Sequence, residues 1–260
     1  MLKLEKKTSD PQFASTLGQA IDVLACFRSG EPTLGNKQIS VRTGLSPSTV
    51  ARLTYTLVEL GYLRRAQQGR RYLLGPALLT LSYPLLASLQ LRQIARPLML
   101  RLALEINGAV SLVIRDRCNM IYVETARANE ALLAHPDIGA ALPMISTAAG
   151  KAWLCRASAE ERNAVLNRIR VEQPDYYHEH EHSLVATYRE FERFGYCSNN
   201  MQWVPHSFGF AVPFAKPVDG NIFILNCGVP ITDGNFAERN RQIPKRLLVL
   251  VKSVQNTLGL

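Results

Sequence analysis

Residues 35–61 contain two short helical patterns separated by a glycine, and this arrangement constrains the N-terminal fold more than any other feature. The first pattern ends at Thr43, and Gly44 provides the turn that follows it. Ser46 is suited to cap the second helix, since its hydroxyl can accept a hydrogen bond from a free amide. Pro47 fits the first helical position because it has no amide hydrogen to lose there. The sequence therefore predicts a helix-turn-helix.

Two further elements flank this helical pair. A preceding helix is predicted within residues 15–30, where the apolar residues Leu17 and Ile21 recur at helical spacing. After the pair, residues 62–65 and 70–74 predict two short strands joined by a turn that contains a glycine. Together these elements predict a winged helix-turn-helix.

The second helix of the pair has two distinct sides. One side is an apolar stripe that includes Leu57 and Leu60, and the other is polar near the helix start. Short hydroxyl side chains and an arginine suit a helix that enters the major groove, and the four arginines of the hairpin suit contacts to phosphates. An ordinary solvent-exposed helix and a solvated charge cluster are the alternative interpretations. The candidate DNA contacts are Ser46, Pro47, Ser48, Thr49, Arg52, Tyr55, Arg64, Arg65, Arg70 and Arg71.

The charge distribution agrees with a polyanionic partner. The chain of 260 residues has a net charge of +9, and residues 1–75 carry eleven basic and five acidic side chains, a net charge of +6. No stretch approaches the roughly 18 unbroken apolar residues of a membrane span, and the N-terminus lacks an apolar signal core. The five cysteines form no C-x-x-C pair, so they predict neither a disulfide framework nor a zinc site. We expect a cytoplasmic protein with no cofactor and no membrane partner.

The sequence predicts three parts. Residues 1–76 form the winged helix-turn-helix, residues 77–93 form a leucine-rich linker helix that Pro84 should kink or divide, and residues 94–260 form a second domain. Mixed helical and alternating patterns give the second domain an α+β class. Its predicted helices are 94–107, 147–156, 159–170, 183–194 and 236–258, and its predicted strands are 109–115, 120–126, 208–215 and 221–229.

A candidate ligand site lies at residues 146–151, Ser-Thr-Ala-Ala-Gly-Lys. Ser146 or Thr147 can cap a helix whose free amides and dipole attract an anion such as a carboxylate. The segment is not a phosphate-binding loop of the G-x-x-x-x-G-K type, because that spacing requires glycine at the position of Ile145. A capped structural helix, with small residues for tight packing, is the alternative interpretation.

Several segments together resemble the IclR family of bacterial regulators. The resemblance spans nearly the whole chain, in order and at family-like spacing. The matching segments are Thr43–Thr49, Arg52, Leu57, Leu60–Leu63, Tyr72–Gly75, Ile121–Glu124, Gly139–Pro143, Gly150–Ala152, Phe194–Tyr196 and Ala211–Pro213.

This resemblance implies a fold and a set of ligand contacts. It implies a GAF/PAS-like antiparallel sheet covered by helices, and a linker helix that takes part in forming a homodimer or a dimer of dimers on a pseudo-palindromic double-stranded DNA operator. It also implies a small organic acid as effector, whose carboxylate binds the amides of Ala148 and Ala149 and whose other contacts fall on Asn199, Gly209, Asn226 and Gly228.

The chain departs from the family pattern near these contacts. Met201-Gln202 replaces an acidic pair, and Asn199 and Gly209 replace an aspartate-type and a cysteine-type position. Because amides both donate and accept, an acid that carries hydroxyl or carbonyl groups fits this set. Leu132, Leu133 and Met144 form either an apolar wall of the site or part of the core.

A histidine-rich stretch offers a different interpretation. His178, His180 and His182 alternate with glutamates, and an extended conformation would place the three imidazoles on one face as ligands for zinc or nickel. A solvated loop is the other reading. The main hypothesis is a ligand-responsive transcriptional regulator without enzymatic activity; the alternative is a hydrolase or metal-dependent enzyme with a basic N-terminal interaction module.

Overall fold

A computed structural model of the chain describes residues 11–67, 70–129, 137–200, 207–230 and 236–260. The chain divides into two units between Ser88 and Leu89. Each unit has a hydrophobic core and a sheet of its own. The fold class is α+β, as the sequence predicts.

The N-terminal unit is a winged helix-turn-helix. Its three strands form an antiparallel sheet in the order β1-β3-β2, with Leu34 opposite Tyr72 and Leu63 opposite Leu74. The elements are α1 (Ser15–Ala25), β1 (Leu34–Gly35), α2 (Asn36–Thr43), α3 (Pro47–Glu59), β2 (Leu63–Arg65), β3 (Arg71–Leu74) and α4 (Ala77–Ser88). The predicted turn between the wing strands lies partly outside the described residues, since residues 68 and 69 are not among them.

Local chemistry explains the boundaries of the helical pair. Gly35 N donates a hydrogen bond of 3.1 Å to Gln38 Oε1 at the start of α2, and Gly44 ends α2 with a φ of +72° that favours glycine. Ser46 Oγ accepts a hydrogen bond of 3.2 Å from Thr49 N and so caps α3, with Pro47 at the first helical position. The predicted caps of these two helices are confirmed.

Some residues of the apolar stripes in the sequence lie outside the core of this unit. Leu60 is 59% exposed, so it lies outside the core that α3 shares with the sheet. Leu17 and Ile21 are also exposed, and Val23 is the buried residue of α1, which ends at Ala25 rather than near Gly30. The buried residues of the unit are Val23, Cys26, Leu34, Ile39, Val50, Leu53, Leu57, Leu63 and Tyr72.

The linker segment is one helix followed by a break. The helix α4 runs through Pro84, so the proline does not divide it, and the chain leaves helical structure only after Ser88. The next helix begins at Leu91, before the predicted start at residue 94. No residue of α4 is buried in its unit.

The C-terminal unit has a six-stranded antiparallel sheet with strand order β6-β5-β4-β9-β8-β7. One sheet face packs against α5 and α10, and the other packs against α6, α7 and α9. Both predicted hairpins are confirmed, whereas β6, β7 and α8 are additional. The elements are α5 (Leu91–Ile106), β4 (Ala109–Asp116), β5 (Asn119–Arg127), β6 (Ala141–Pro143), α6 (Ala148–Arg156), α7 (Ala159–Glu172), α8 (Pro174–His180), α9 (Ser183–Phe194), β7 (Cys197–Asn200), β8 (Ser207–Pro213), β9 (Ile224–Pro230) and α10 (Phe236–Thr257). Among the described residues, no helix has the length and apolar character needed to cross a membrane.

Candidate functional site

The start of α3 presents a cluster of hydroxyl groups on the surface. Ser46 Oγ lies 3.0 Å from Ser48 Oγ and 2.9 Å from Thr49 Oγ1. Ser46, Pro47 and Ser48 are exposed, so the amides and hydroxyls of this helix end can approach a phosphate. The cluster leaves the backbone close to the surface, as a groove-binding helix requires.

Arg52 and Tyr55 extend the same surface along α3. Both side chains are exposed, and Tyr55 is 59% exposed although it is aromatic. Among the described residues, no acceptor binds the guanidinium of Arg52, so it is available to a base edge or a phosphate. The opposite side of α3 is anchored, since Leu53 and Leu57 lie in the core.

The wing arginines do not all lie at the rim. Arg64, Arg65 and Arg70 are exposed, and the guanidinium of Arg65 lies 5.9 Å from the ring centroid of Tyr72. Arg71 is half-buried, and its Nε donates a hydrogen bond of 3.0 Å to Thr33 Oγ1. Arg71 therefore braces the sheet, whereas the sequence analysis grouped it with the other three arginines as a candidate phosphate contact.

The second candidate site is the start of α6 in the C-terminal unit. Thr147 Oγ1 accepts a hydrogen bond of 3.2 Å from Gly150 N and donates one of 2.7 Å to the carbonyl of Pro143. Ala148 and Ala149 occupy the first two helical positions and are buried. No group of the described residues accepts a hydrogen bond from either of their amides. Two neighbouring buried donors thus lie at a helix start, where the helix dipole favours an anion.

Tyr176 of α8 closes the approach to the amides just before this pair. Its hydroxyl accepts hydrogen bonds of 2.8 Å from Ile145 N and 2.9 Å from Ser146 N. Burial raises the pKa of Tyr176, and these hydrogen bonds oppose that rise. The available donors are therefore limited to Ala148 and Ala149.

Strand register brings the other predicted contacts onto the sheet face that covers α6. Asn199 pairs with Gly209, and Gly209 pairs with Gly228, so the three form one row across β7, β8 and β9. Asn226 lies two residues from Gly228 on the same face. Asn199 Nδ2 donates a hydrogen bond of 2.8 Å to the carbonyl of Ser146, which fixes β7 to the start of α6.

Gly209 of β8 lies close to the start of α6. A Cβ added there would lie 3.7 Å from Ala148 Cβ and 3.8 Å from Asn199 Cβ. Gly150 is required for a different reason, because an added Cβ would lie 2.0 Å from the carbonyl oxygen of Met144. Met144 itself is fully buried in the core, in agreement with its core interpretation, whereas Leu132 and Leu133 lie outside the described residues.

Asn226 supplies an acceptor on the sheet face. Its Oδ1 is buried and has no hydrogen-bond donor among the described residues. Its side chain hydrogen-bonds Tyr122, whose pKa burial raises to about 12. Ser111 faces Asn226 in the register, and its hydroxyl pairs with Thr125 Oγ1 at 3.1 Å. The sequence analysis missed Ser111, Tyr122 and Thr125, although the alternation of β4 and β5 places them on this face.

The histidine stretch forms no metal site. His178 and His180 belong to α8, and His182 follows its end, so the extended conformation that would align the imidazoles is absent from this segment. His178 Nδ1 lies 3.2 Å from Glu181 Oε1. Within the described ranges, no three histidine, cysteine or acidic side chains are grouped to hold a metal ion.

A winged helix-turn-helix joined to a second α+β domain is the architecture of ligand-responsive DNA-binding regulators. Residues 16–67 match the model of the IclR helix-turn-helix domain, and residues 84–200 match that of the bacterial transcriptional regulator IclR C-terminal domain. The chain belongs to the IclR family of transcriptional regulators. This family consists of regulators, so the alternative of a hydrolase or metal-dependent enzyme is wrong.

Individual relatives agree with this assignment. The HTH-type transcriptional regulator TsaQ1/TsaQ2 of Comamonas testosteroni is 34% identical over 92% of this chain and 87% of its own length. An IclR family transcriptional regulator from Brucella abortus has a TM-score of 0.80 at 33% identity, covering 99% of this chain and 96% of that one. An IclR homolog from Microbacterium hydrocarbonoxydans, solved with 4-hydroxybenzoate, has a TM-score of 0.70 at 23% identity, covering 94% and 99%, and so shares the fold.

Proposed function

We propose that this regulator represses or activates transcription from a pseudo-palindromic operator in response to a hydroxylated carboxylic acid. The observation that carries the proposal is the pair of buried amides at Ala148 and Ala149, which lack an acceptor among the described residues. An anion is the natural occupant, since the helix dipole and two donors favour negative charge. The protein acts on DNA and therefore in the cytoplasm.

The residues on the sheet face that covers α6 determine which other substituents the ligand can carry besides its carboxylate. Asn226 Oδ1 is a buried acceptor without a donor among the described residues, and such an atom favours a ligand that donates a hydrogen bond. A hydroxyl group donates, whereas a carbonyl group does not, so the hydroxyl is favoured of the two substituents that the sequence leaves open. The 4-hydroxybenzoate bound by the Microbacterium homolog has this combination of groups.

A matched pair of ligands tests this specificity. We expect 4-hydroxybenzoate or another hydroxy acid of a panel to raise the melting temperature of the chain, because a ligand present at a hundredfold excess over its Kd adds about 2.7 kcal/mol of apparent stability. The same acid without its hydroxyl, such as benzoate, should give a clearly smaller shift. Equal shifts from both members of the pair would remove Asn226 from the site, and a panel without any active acid would reject the ligand class.

We further propose that Arg52 contacts the operator directly. It is exposed on the side of α3 that carries Ser48 and Thr49. Arg52→Ala should weaken binding to an operator selected from genomic fragments by about 2 kcal/mol, roughly 30-fold, and should alter base preference if Arg52 binds a base edge. Arg170→Ala removes an equally exposed arginine from α7 of the C-terminal unit and serves as the control. Equal affinities of the two variants in gel-shift titrations would reject this contact.

We also propose that α4 contributes to a homodimer, which can pair into a dimer of dimers. The helix carries no charged residue, none of its residues is buried, and Leu79, Leu81 and Tyr83 are each more than 60% exposed. Apolar surface of this kind is normally covered by a partner, and the two-fold symmetry of a dimer matches a pseudo-palindrome. Light scattering that finds only monomer at micromolar concentration would contradict the proposal.

A further inference from the structure

Two cysteines from distant parts of the sequence meet where the last turn of α6 contacts β7. Cys155 lies in the last turn of α6, and Cys197 is the first residue of β7, 42 positions later. Their sulfur atoms are 3.7 Å apart, a hydrogen-bonding distance for two thiols. Cys197 is fully buried, whereas Cys155 is half-buried and so accessible to a small reagent.

The surroundings of the pair distinguish its two thiols. Lys151 lies one turn before Cys155 on α6, and its buried ammonium group interacts with both cysteines and with Glu190. The hydrogen bond with Cys155 and burial raise the pKa of Cys197. Cys197 is not exposed at all, so a reagent from solvent reaches Cys155 first. This difference in exposure makes Cys155 the attacking thiol and Cys197 the resolving thiol.

We propose that Cys155 and Cys197 are a peroxide-sensitive pair that a hydroperoxide oxidises to a disulfide bond. The Cys155 thiolate attacks one peroxide oxygen, the O–O bond breaks, and the other oxygen leaves as water or an alcohol after taking up a proton. The product at Cys155 is a sulfenic acid. The sulfur of Cys197 then attacks the sulfenic sulfur, and the hydroxide that leaves takes the thiol proton and departs as water. The two thiols lose two electrons in total, and the peroxide gains them.

A disulfide bond between Cys155 and Cys197 would restrain α6 and β7, which carry residues of the candidate ligand site. It would join α6 to β7, and Asn199 of β7 donates a hydrogen bond of 2.8 Å from Nδ2 to the carbonyl of Ser146, two residues before α6 begins. Oxidation would thus hold Asn199 near the start of α6 and change the affinity for the acid. Formation of the disulfide does not depend on the proposed function, whereas its effect on ligand binding rests on the proposed function.

The test begins with the reduced full chain and hydrogen peroxide. We expect a linked peptide pair that contains Cys155 and Cys197, together with continued alkylation of Cys26, Cys118 and Cys227 after denaturation. The oxidised chain should melt about 5–10 °C higher, because the bond closes a long loop in the unfolded state, and dithiothreitol should reverse the shift.

Two serine variants fix the order of the steps. Cys197→Ser should accumulate a sulfenic acid at Cys155 that dimedone traps, and Cys155→Ser should leave Cys197 unoxidised. Absence of the linked peptide in the wild-type chain, or equal oxidation of all five cysteines, would overturn the proposal. If the disulfide forms but 4-hydroxybenzoate changes operator affinity equally in the oxidised and reduced chains, the proposed effect of the disulfide on ligand binding is wrong. If 4-hydroxybenzoate changes operator affinity in neither chain, that result counts against the proposed function and not against the disulfide.

Discussion

Replacing Glu124 by glutamine is expected to lower the free energy of unfolding of the C-terminal unit by about 3 kcal/mol. The carboxylate is buried and accepts hydrogen bonds of 3.0 Å from Arg92 Nη2 and 2.6 Å from Arg96 Nη1. It also accepts one of 3.2 Å from the amide of Thr125. Glutamine has nearly the same shape but no charge, so the guanidinium of Arg92, itself only 18% exposed, would lose its counter-charge without regaining full hydration.

A surface ion pair provides the matched control for this variant. Glu172 pairs with Arg168 one turn earlier on α7, and both side chains are partly exposed to solvent. Glu172→Gln should therefore cost less than about 1 kcal/mol. Urea unfolding followed by tryptophan fluorescence reports on the correct unit, since Trp153 is buried in its core and both tryptophans of the chain come after Leu89 in the sequence. Similar losses of unfolding free energy for Glu124→Gln and Glu172→Gln would show that the buried ion pair stabilises the unit no more than the surface pair does.

The ion pair of Glu124 also joins the start of α5 to β5. Arg92 and Arg96 lie in the first two turns of α5, directly after the break that follows α4. Glu124 is on β5 beside Thr125, whose hydroxyl pairs with Ser111 on the candidate ligand face. The ion pair thus fixes the start of α5 to a strand of the ligand site.

Local signals explain why the DNA-binding unit was predictable from the sequence. Gly44, Ser46 and Pro47 specify a turn and a cap through interactions within a few residues, and the structure confirms each of them. The errors arose where burial depends on distant partners. Leu17 and Leu60 have helical spacing, but no element among the described residues covers them. Arg71 binds Thr33, which precedes β1 and so lies outside the hairpin from which its position was predicted.

The candidate ligand site was only partly predictable for the same reason. The cap at Thr147 is a local feature, and it predicted the start of α6 to within one residue. Tyr176 binds amides 30 residues earlier in the chain, and α8 replaced an expected loop or extended segment, so its role required the fold. Asn199, Gly209 and Gly228 form one row because of the strand register, and residue spacing in the sequence does not determine that register. These three residues were predicted only from the family resemblance.

Variants of the ligand site are expected to abolish the effector response while DNA binding persists. Ala149→Pro removes one of the two free amides, at a position in the first helical turn where proline is compatible with the backbone. Asn226→Leu removes the buried acceptor and keeps a similar side-chain length. A typical coupling of about 1–3 kcal/mol corresponds to a change in operator affinity of roughly 5–150-fold, and both variants should lose most of it.

The measurement compares operator affinity with and without a hydroxy acid that raises the melting temperature of the wild-type chain. Ala149→Gly is the matched control for Ala149→Pro, since it changes the same buried side chain but keeps the amide, and it should retain the response. Without ligand, all three variants should bind the operator as the wild type does, because α3 and the wing belong to the other unit. If the folded Ala149→Pro and Asn226→Leu chains still shift operator affinity as strongly as the wild type, the acid binds elsewhere and the assignment of this site is wrong.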